Sequence, residues 1–159
     1  PYYITTPIIT KLIEANAEFA SLTIMMQKEV GDRIAAEPGT KLAGAITYAV
    51  HYRCTVDKIC DVSRESFYPV PKVDSVVLRL NMRDELAVQV NDDNNFFRCI
   101  KAGFSMRRKT LLNSLQALDD VDKDVIKCAL ESANIDPSRR AETLTMEEFA
   151  ELSNSIWKE

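Results

Sequence analysis

Apolar residues in the first half of the chain follow two spacings, one typical of strands and one of helices. Stretches of strand length that are rich in apolar residues occupy residues 19–26, 53–62 and 73–82. Apolar residues three or four positions apart, as on one face of a helix, occupy residues 6–16, 27–36 and 42–52, with Leu42 on the predicted buried face of the last. We expect Thr6 to be the N-cap of the first helix, because Pro7 follows it and proline suits the first helical position.

The pattern changes after Asp84, where the polar stretch QVNDDNN marks a predicted domain boundary. Beyond it the spacing predicts only helices, over residues 95–105, 107–118, 121–133 and 146–157. Thr145 is predicted to cap the last helix, with Glu148 completing a capping box. The predicted fold class is therefore α/β, with three strands and their helices in residues 1–89 and a small all-α domain in residues 90–159.

Composition and charge exclude several classes of function. The chain has 159 residues, of which 46% are hydrophobic and 28% charged, as in soluble globular domains. The single histidine, His51, argues against a histidine-rich metal site or a Ser-His-Asp triad, and the four cysteines lack CxxC spacing, so we expect reduced thiols. No apolar run reaches the ~20 residues that span a bilayer. The four glycines form no GxGxxG loop. We predict no metal site and no membrane segment.

The segment FYPVPKVDS, residues 67–75, combines two prolines with an aromatic ring and a lysine. Proline fixes φ, so we expect a stiff loop that holds Phe67 in one position without further ordering cost. A ring held in this way suits stacking on a nucleobase, and Lys72 suits contact with phosphate. The residues alone leave open that the segment is a rigid connector with Phe67 as a plug in the core.

Positive charge is concentrated, although the net charge of the chain is −4. No acidic residue lies between Asp93 and Asp119, and this tract contains five basic residues: Arg98, Lys101, Arg107, Arg108 and Lys109. Arg139 and Arg140 form a second, smaller cluster. Basic residues with aromatic rings nearby suit a polyanion such as RNA, and a solvated helix face is the alternative.

Four segments of the chain, taken together, resemble one family. They are PYYITTPII, FYPVPKVDSVVLRL, AGFSMRRKTLLNSL and IDPSRRAETLTMEEFAEL, in this order along nearly the whole chain. The first resembles the end of the N-[LI]-P-Y-Y-I-T-T-P motif of the ribosomal RNA adenine dimethyltransferases, and the second that family's F-x-P-x-P-K-V-D-S motif. The other two resemble its C-terminal helical domain and favour the enzyme of small-subunit rRNA. The chain resembles a C-terminal portion that starts inside the N-L-P-Y motif.

The resemblance implies a fold and an activity for a parent protein. The fold is a Rossmann-like methyltransferase sheet, of which this chain keeps the last three strands, followed by a helical RNA-binding domain. The activity is S-adenosylmethionine-dependent dimethylation of adenine N6 in small-subunit (16S) rRNA during ribosome biogenesis in the cytoplasm, on the immature 30S particle. The Gly-rich loop and the acidic residue that bind the cofactor in the family are missing here, so we expect this chain alone to be inactive and not to bind the cofactor.

The resemblance also assigns roles to residues. The backbone carbonyl of Pro1 would accept a hydrogen bond from the adenine amino group. Tyr2 would stack on the extruded adenine, and Phe67 would be the opposing ring. Phosphates would be bound by basic residues of both halves: Lys72, Arg107, Arg108, Lys109, Arg139 and Arg140.

Two other functions remain open at this stage, and one further property is expected. The rivals are a non-catalytic RNA-binding or ribosome-assembly module, and a large-subunit rRNA adenine methyltransferase of the antibiotic-resistance type. In the family sheet, the strand at residues 19–26 pairs with a strand that this chain lacks. We therefore expect self-association through that edge, because an unpaired strand edge is a template for pairing.

Overall fold

The computed structural model describes residues 2–14 and 19–158, so Pro1 lies outside the described residues. The chain divides into two compact units. The first consists of Pro1–Glu37 and Leu42–Ala87, and the second of Pro38–Lys41 and Val88–Glu159. The roles assigned above to residues 1–89 and 90–159, a methyltransferase half and an RNA-binding domain, remain predictions.

The first unit contains a three-stranded sheet in which every pairing is antiparallel. Its strands are β1 (Ser21–Gln27), β2 (Cys54–Val62) and β3 (Ser75–Met82), and β3 lies in the centre in the order β1-β3-β2. Ser75 is opposite Gln27 of β1 and Val62 of β2, and a bulge interrupts β2 between Lys58 and Cys60. The three predicted strands are confirmed, with bounds moved by one or two residues.

Three helices accompany this sheet: α1 (Thr5–Glu14), α2 (Lys28–Ala35) and α3 (Ala45–Arg53). A 3₁₀ turn over Tyr2–Ile4 runs directly into α1. The prediction that Thr6 is an N-cap is therefore wrong, since the helix begins at Thr5. Pro7 is nevertheless tolerated there, because the first four N–H groups of a helix have no partner within it and a missing one costs nothing.

The core of the first unit forms between α1, α3 and one face of the sheet. Fully buried side chains come from each of these elements: Ile9, Ile13, Tyr48, Val50, Tyr52, Met26, Val76, Leu78 and Leu80. Gly31 lets α2 lie against β3, because a Cβ atom at this position would come within 2.1 Å of Val76 Cγ1. Leu42, predicted on the buried face of α3, is wrong: it precedes the helix and is 52% exposed.

The second unit is all α-helical in its regular elements. It contains α4 (Asp93–Gly103), α5 (Leu111–Leu115), α6 (Lys123–Ser132) and α7 (Met146–Ile156), and α7 packs against both α4 and α6. The predicted cap of α7 is confirmed: the Thr145 hydroxyl accepts from the Glu148 N–H at 3.2 Å, and the Glu148 carboxylate accepts from the Thr145 N–H at 2.7 Å. An α/β unit followed in sequence by an all-α unit confirms the predicted fold class.

The helix predicted over 107–118 is wrong over its first part. Residues 106–110 form a turn instead, in which the Lys109 N–H donates to the Met106 carbonyl at 2.9 Å. The first turn of α5 is then completed from outside the helix, because the Leu111 N–H donates to the Arg139 carbonyl at 2.7 Å. Among the described residues, no helix has the length and apolar character needed to span a membrane.

Candidate nucleic-acid interface

A hydrogen bond in the first unit joins the two motifs that carry the predicted base-binding rings. The hydroxyl groups of Tyr2 and Ser75 lie 2.5 Å apart, although 73 positions separate the two residues. Ser75 is fully buried and Tyr2 is half-buried. Ser75 is also the last residue of FYPVPKVDS, so the start of the chain and the proline-containing segment meet at the beginning of β3.

The segment between β2 and β3 is fastened to itself near both ends. The Arg64 N–H donates to Asp74 Oδ1 at 3.0 Å, and the Arg64 guanidinium donates to the Lys72 carbonyl at 3.2 Å. A 3₁₀ turn, Arg64–Ser66, is capped by the Ser63 hydroxyl and closed by the Phe67 N–H. These contacts, with the fixed φ angles of Pro69 and Pro71, support the prediction that the loop is stiff.

The two aromatic residues of this loop differ in exposure. Phe67 is half-buried, so it is not among the buried residues of the core. Tyr68 is fully exposed, and Val70 is 59% exposed. The sequence analysis did not single out Tyr68, although an aromatic residue directly before a proline in a turn-rich segment was the available signal. The loop therefore presents a partly accessible ring and a fully accessible ring side by side in sequence.

Lys72 in the same loop is exposed, and its ammonium group has no partner among the described residues. Other cations of the first unit are engaged. Lys28 and Lys58 both bind Asp61, each with an N–O distance of 2.7 Å, and the hydrogen bonds from these lysines lower the pKa of Asp61. Lys72 is thus the cation of the loop that is available to an external anion.

In the second unit, the basic residues Arg107, Arg108 and Lys109 occupy the turn before α5. All three side chains are exposed, and none forms an ion pair with another described residue. The turn is held from below, because the Ser114 hydroxyl donates to the Met106 carbonyl at 3.3 Å. Three adjacent unpaired cations on a fixed turn give a local positive surface suited to phosphate.

Arg139 and Arg140, adjacent in sequence, have different surroundings. The Arg139 guanidinium donates to both carboxylate oxygens of Glu148, at 2.5 and 2.9 Å, and to the Thr143 carbonyl at 2.6 Å. This bidentate contact holds the pKa of Glu148 below its usual value. Arg140 is exposed. The structure thus gives Arg139 a role in holding the start of α7, and its predicted contact with RNA remains a prediction.

Two other cations of the basic tract are engaged. Arg98 forms an ion pair with Asp120, which lowers the pKa of that carboxyl, and its guanidinium lies 5.1 Å from the centre of the Trp157 ring. Lys101 also has an interaction partner. Within the tract, the unpaired positive charge is therefore concentrated at Arg107, Arg108 and Lys109.

The thiols and the open depressions offer no chemistry of their own. Burial raises the pKa of Cys54 to about 11 and of Cys99 to about 12, so both thiols stay protonated at neutral pH. No metal-binding cluster of His, Cys, Asp or Glu occurs among the described residues. An open depression of about 570 Å³ on α1 is lined by Thr6, Pro7, Thr10, Lys11 and Glu14. It has no aromatic or Gly-rich wall for an adenosine, so these residues do not form a cradle for S-adenosylmethionine.

Comparison with known proteins identifies relatives along the whole chain. The family model described as "Ribosomal RNA adenine dimethylase" matches residues 1–158. The chain is 51% identical over 158 residues to the "Ribosomal RNA small subunit methyltransferase A" of Clostridium acetobutylicum, covering 99% of this chain and 57% of the relative. It is 48% identical to the protein of the same name from Clostridioides difficile, covering 98% of this chain and 54% of that protein.

Solved structures show the same fold. A dimethyladenosine transferase from Plasmodium falciparum matches with a TM-score of 0.74 and 29% identity, over 96% of this chain and 62% of that one. The 23S rRNA methyltransferase ErmE matches with a TM-score of 0.65 and 22% identity, over 98% of this chain and 62% of that one, which shows the fold alone. The chain spans little more than half the length of the curated relatives it matches. The predicted family is confirmed: the chain belongs to the ribosomal RNA adenine dimethylase family.

Proposed function

We propose that the protein takes part in the S-adenosylmethionine-dependent dimethylation of adenine N6 in small-subunit rRNA. The observation that carries this proposal is the hydrogen bond between Tyr2 and Ser75, which brings the two family motifs with aromatic rings to one place. Family membership supplies the reaction class, and the printed names of the curated relatives favour the small subunit.

The residues of the first unit hold the target base in this proposal. An adenine inside a helix is out of reach of an enzyme, so the nucleotide is extruded and its base is bound between Tyr2 and Phe67. Each base–ring stack contributes roughly 1–3 kcal/mol. A stacked base is fixed in plane, which aims the lone pair of its amino nitrogen at the methyl donor.

The amino group of adenine is a poor nucleophile, because its lone pair is delocalised into the ring. Hydrogen-bond acceptors at the N-terminal motif favour the pyramidal, nucleophilic form of the nitrogen, and the predicted acceptor, the carbonyl of Pro1, lies outside the described residues. S-adenosylmethionine supplies the methyl group when bound, and the amine loses its proton after the transfer. No strong general base is required of this chain.

The second unit contributes binding rather than chemistry. Arg107, Arg108, Lys109 and Arg140 are exposed cations that contact phosphates and fix the register of the RNA without reading bases. Lys72 does the same beside the base-binding loop. Substrate rRNA in an immature 30S particle, and action in the cytoplasm, complete the proposal. Self-association through the outer edge of β1, and the absence of cofactor binding by this chain alone, remain predictions.

A chimaera tests this function. In it, this chain replaces the matching segment, 57% of the length, of the Clostridium acetobutylicum relative. With radiolabelled S-adenosylmethionine and unmethylated small-subunit particles, we expect dimethylated adenine in small-subunit rRNA, located by mass spectrometry. Methylation of large-subunit rRNA instead would favour the antibiotic-resistance type. RNA binding by the folded chimaera with no transfer to either rRNA would favour a binding or assembly module.

A further inference from the structure

We infer that Ser75 is a positioning residue for the target base, acting by fixing the ring of Tyr2. The inference rests on the proposed function, in which Tyr2 is the ring on which the adenine stacks. Nothing in the chemistry of methyl transfer calls for a buried serine at this place. The reason for its presence lies in the geometry around its hydroxyl.

The hydroxyl of Ser75 is attached to a part of the backbone with little freedom. Ser75 is the first residue of the central strand, and it is opposite Gln27 on one side and Val62 on the other. The residue before it is also held, since the Asp74 carbonyl accepts from the Lys28 N–H at 3.0 Å. Ser75 has no solvent exposure. Its side chain is therefore a fixed reference point.

Tyr2 is held at both ends of its side chain. Its backbone belongs to the 3₁₀ turn that continues into α1, and α1 is anchored by the buried Ile9 and Ile13. Its hydroxyl lies 2.5 Å from Ser75 Oγ. Contact at both ends fixes the direction of the ring axis, because rotation about χ1 would break the hydrogen bond. The Tyr2 ring is thereby pre-ordered before RNA arrives.

The same strand start also carries the loop of the opposing ring. Phe67 is eight positions before Ser75, and the loop between them is fastened to Asp74 through Arg64. One fixed strand end thus determines the position of both aromatic motifs. A base bound between two rings needs their spacing to hold within a fraction of an ångström, and a hydrogen bond to one ring provides this without contact to the base.

Kinetics of the chimaera test this inference. Because an ordinary hydrogen bond changes an equilibrium about fivefold, Tyr2→Phe and Ser75→Ala should each lower kcat by about fivefold and leave KM for RNA nearly unchanged. The double variant should lose no more than either single variant, since both changes remove the same bond. Tyr3→Phe and Ser21→Ala are matched controls, since both residues are exposed, and they should retain the parent rate.

A second measurement uses this chain without any requirement for activity. NMR spectra of ring-labelled tyrosine contain five tyrosine residues. Ser75→Ala should shift the ring signals of Tyr2 and leave the exposed Tyr3 and Tyr68 unchanged. Thermal unfolding shows whether the variant is folded, and if it is not, Tyr2→Phe decides by the kinetics alone.

The outcomes separate the two proposals. A folded chimaera that transfers no methyl group contradicts the proposed function, and the NMR measurement still decides whether Ser75 fixes Tyr2. An active chimaera in which the single variants keep the parent kcat, raise only KM or have multiplying effects overturns the role of Ser75. Tyr2 signals that do not respond to Ser75→Ala overturn it as well.

Discussion

The ion pair between Arg139 and Glu148 fastens the start of α7 to the segment that precedes it. The Glu148 carboxylate accepts from Arg139 and from the Thr145 N–H, and the contact with Arg139 is the largest cause of its lowered pKa. A carboxyl whose pKa is lower in the folded state contributes stability that is present above the unfolded value and is lost as pH falls through the folded value.

We therefore expect acid to weaken the wild-type chain more than the Glu148→Gln variant. Near neutral pH the variant should be less stable by about 1–2 kcal/mol, because a charged acceptor has been replaced by a neutral one. Below the usual glutamate pKa of 4.5 the difference should shrink. Thermal unfolding from pH 7 to pH 3 measures both effects.

Glu147→Gln is the matched control, since Glu147 is exposed and lies in the same first turn of α7. It shares the position near the helix N-terminus but not the contact with Arg139. Equal pH dependence of stability in the two variants would show that proximity to the helix end, rather than the ion pair, lowers the pKa of Glu148.

Individual residues were predictable where their partners are local. Thr145 and Glu148 lie three positions apart, so the capping box is visible in the sequence. The partners of Arg139 and Ser75 are nine and 73 positions away, and only the packing of separate elements brings them together. The sequence therefore suggested a site for Tyr2 and Phe67 but gave no reason to choose Ser75.

Among the elements, the turn before α5 provides the most concentrated positive charge that has no described partner. If Arg107, Arg108 and Lys109 bind phosphates, replacing all three by Gln should weaken binding to a small-subunit rRNA fragment. The slope of log K against log salt concentration should become shallower by about 2, because each neutralised phosphate contributes about 0.7–0.9. Fluorescence anisotropy at several salt concentrations measures the slope.

A control variant removes the same amount of charge elsewhere in the second unit. Lys123, Lys127 and Lys158 are exposed, and their replacement by Gln should change the slope much less. An identical loss of slope in the two triple variants would mean that the turn contributes only to the general charge of the unit.

Elements with a clear periodicity were predicted well, and their ends less well. The three strands and α7 occur close to the expected positions. The helix predicted over 107–118 shortened to Leu111–Leu115, because the backbone of residues 137–139 supplies the acceptors for its first N–H groups. A contact from a distant segment cannot be read from the spacing of leucines along the helix itself.

At the scale of the whole molecule, the two units divide the work of one proposed reaction. The first carries the rings that hold a base, and the second carries most of the unpaired cations named here for phosphate binding. The net charge of −4 gives no sign of this division, because acidic residues elsewhere balance the cationic turn. The family and the α/β class were readable from ordered motifs, whereas the pairing state of each cation required the structure.

The central claim is that Phe67 holds an extruded adenine for methyl transfer. The most direct test is Phe67→Ala in the chimaera, with single-turnover methyl transfer and RNA affinity measured on the same preparation. The account predicts that transfer slows by about 5- to 150-fold, which corresponds to the loss of one base–ring stack of roughly 1–3 kcal/mol, while RNA affinity changes much less. Loss of affinity equal to the loss of rate would contradict it, since Phe67 would then act in general RNA binding.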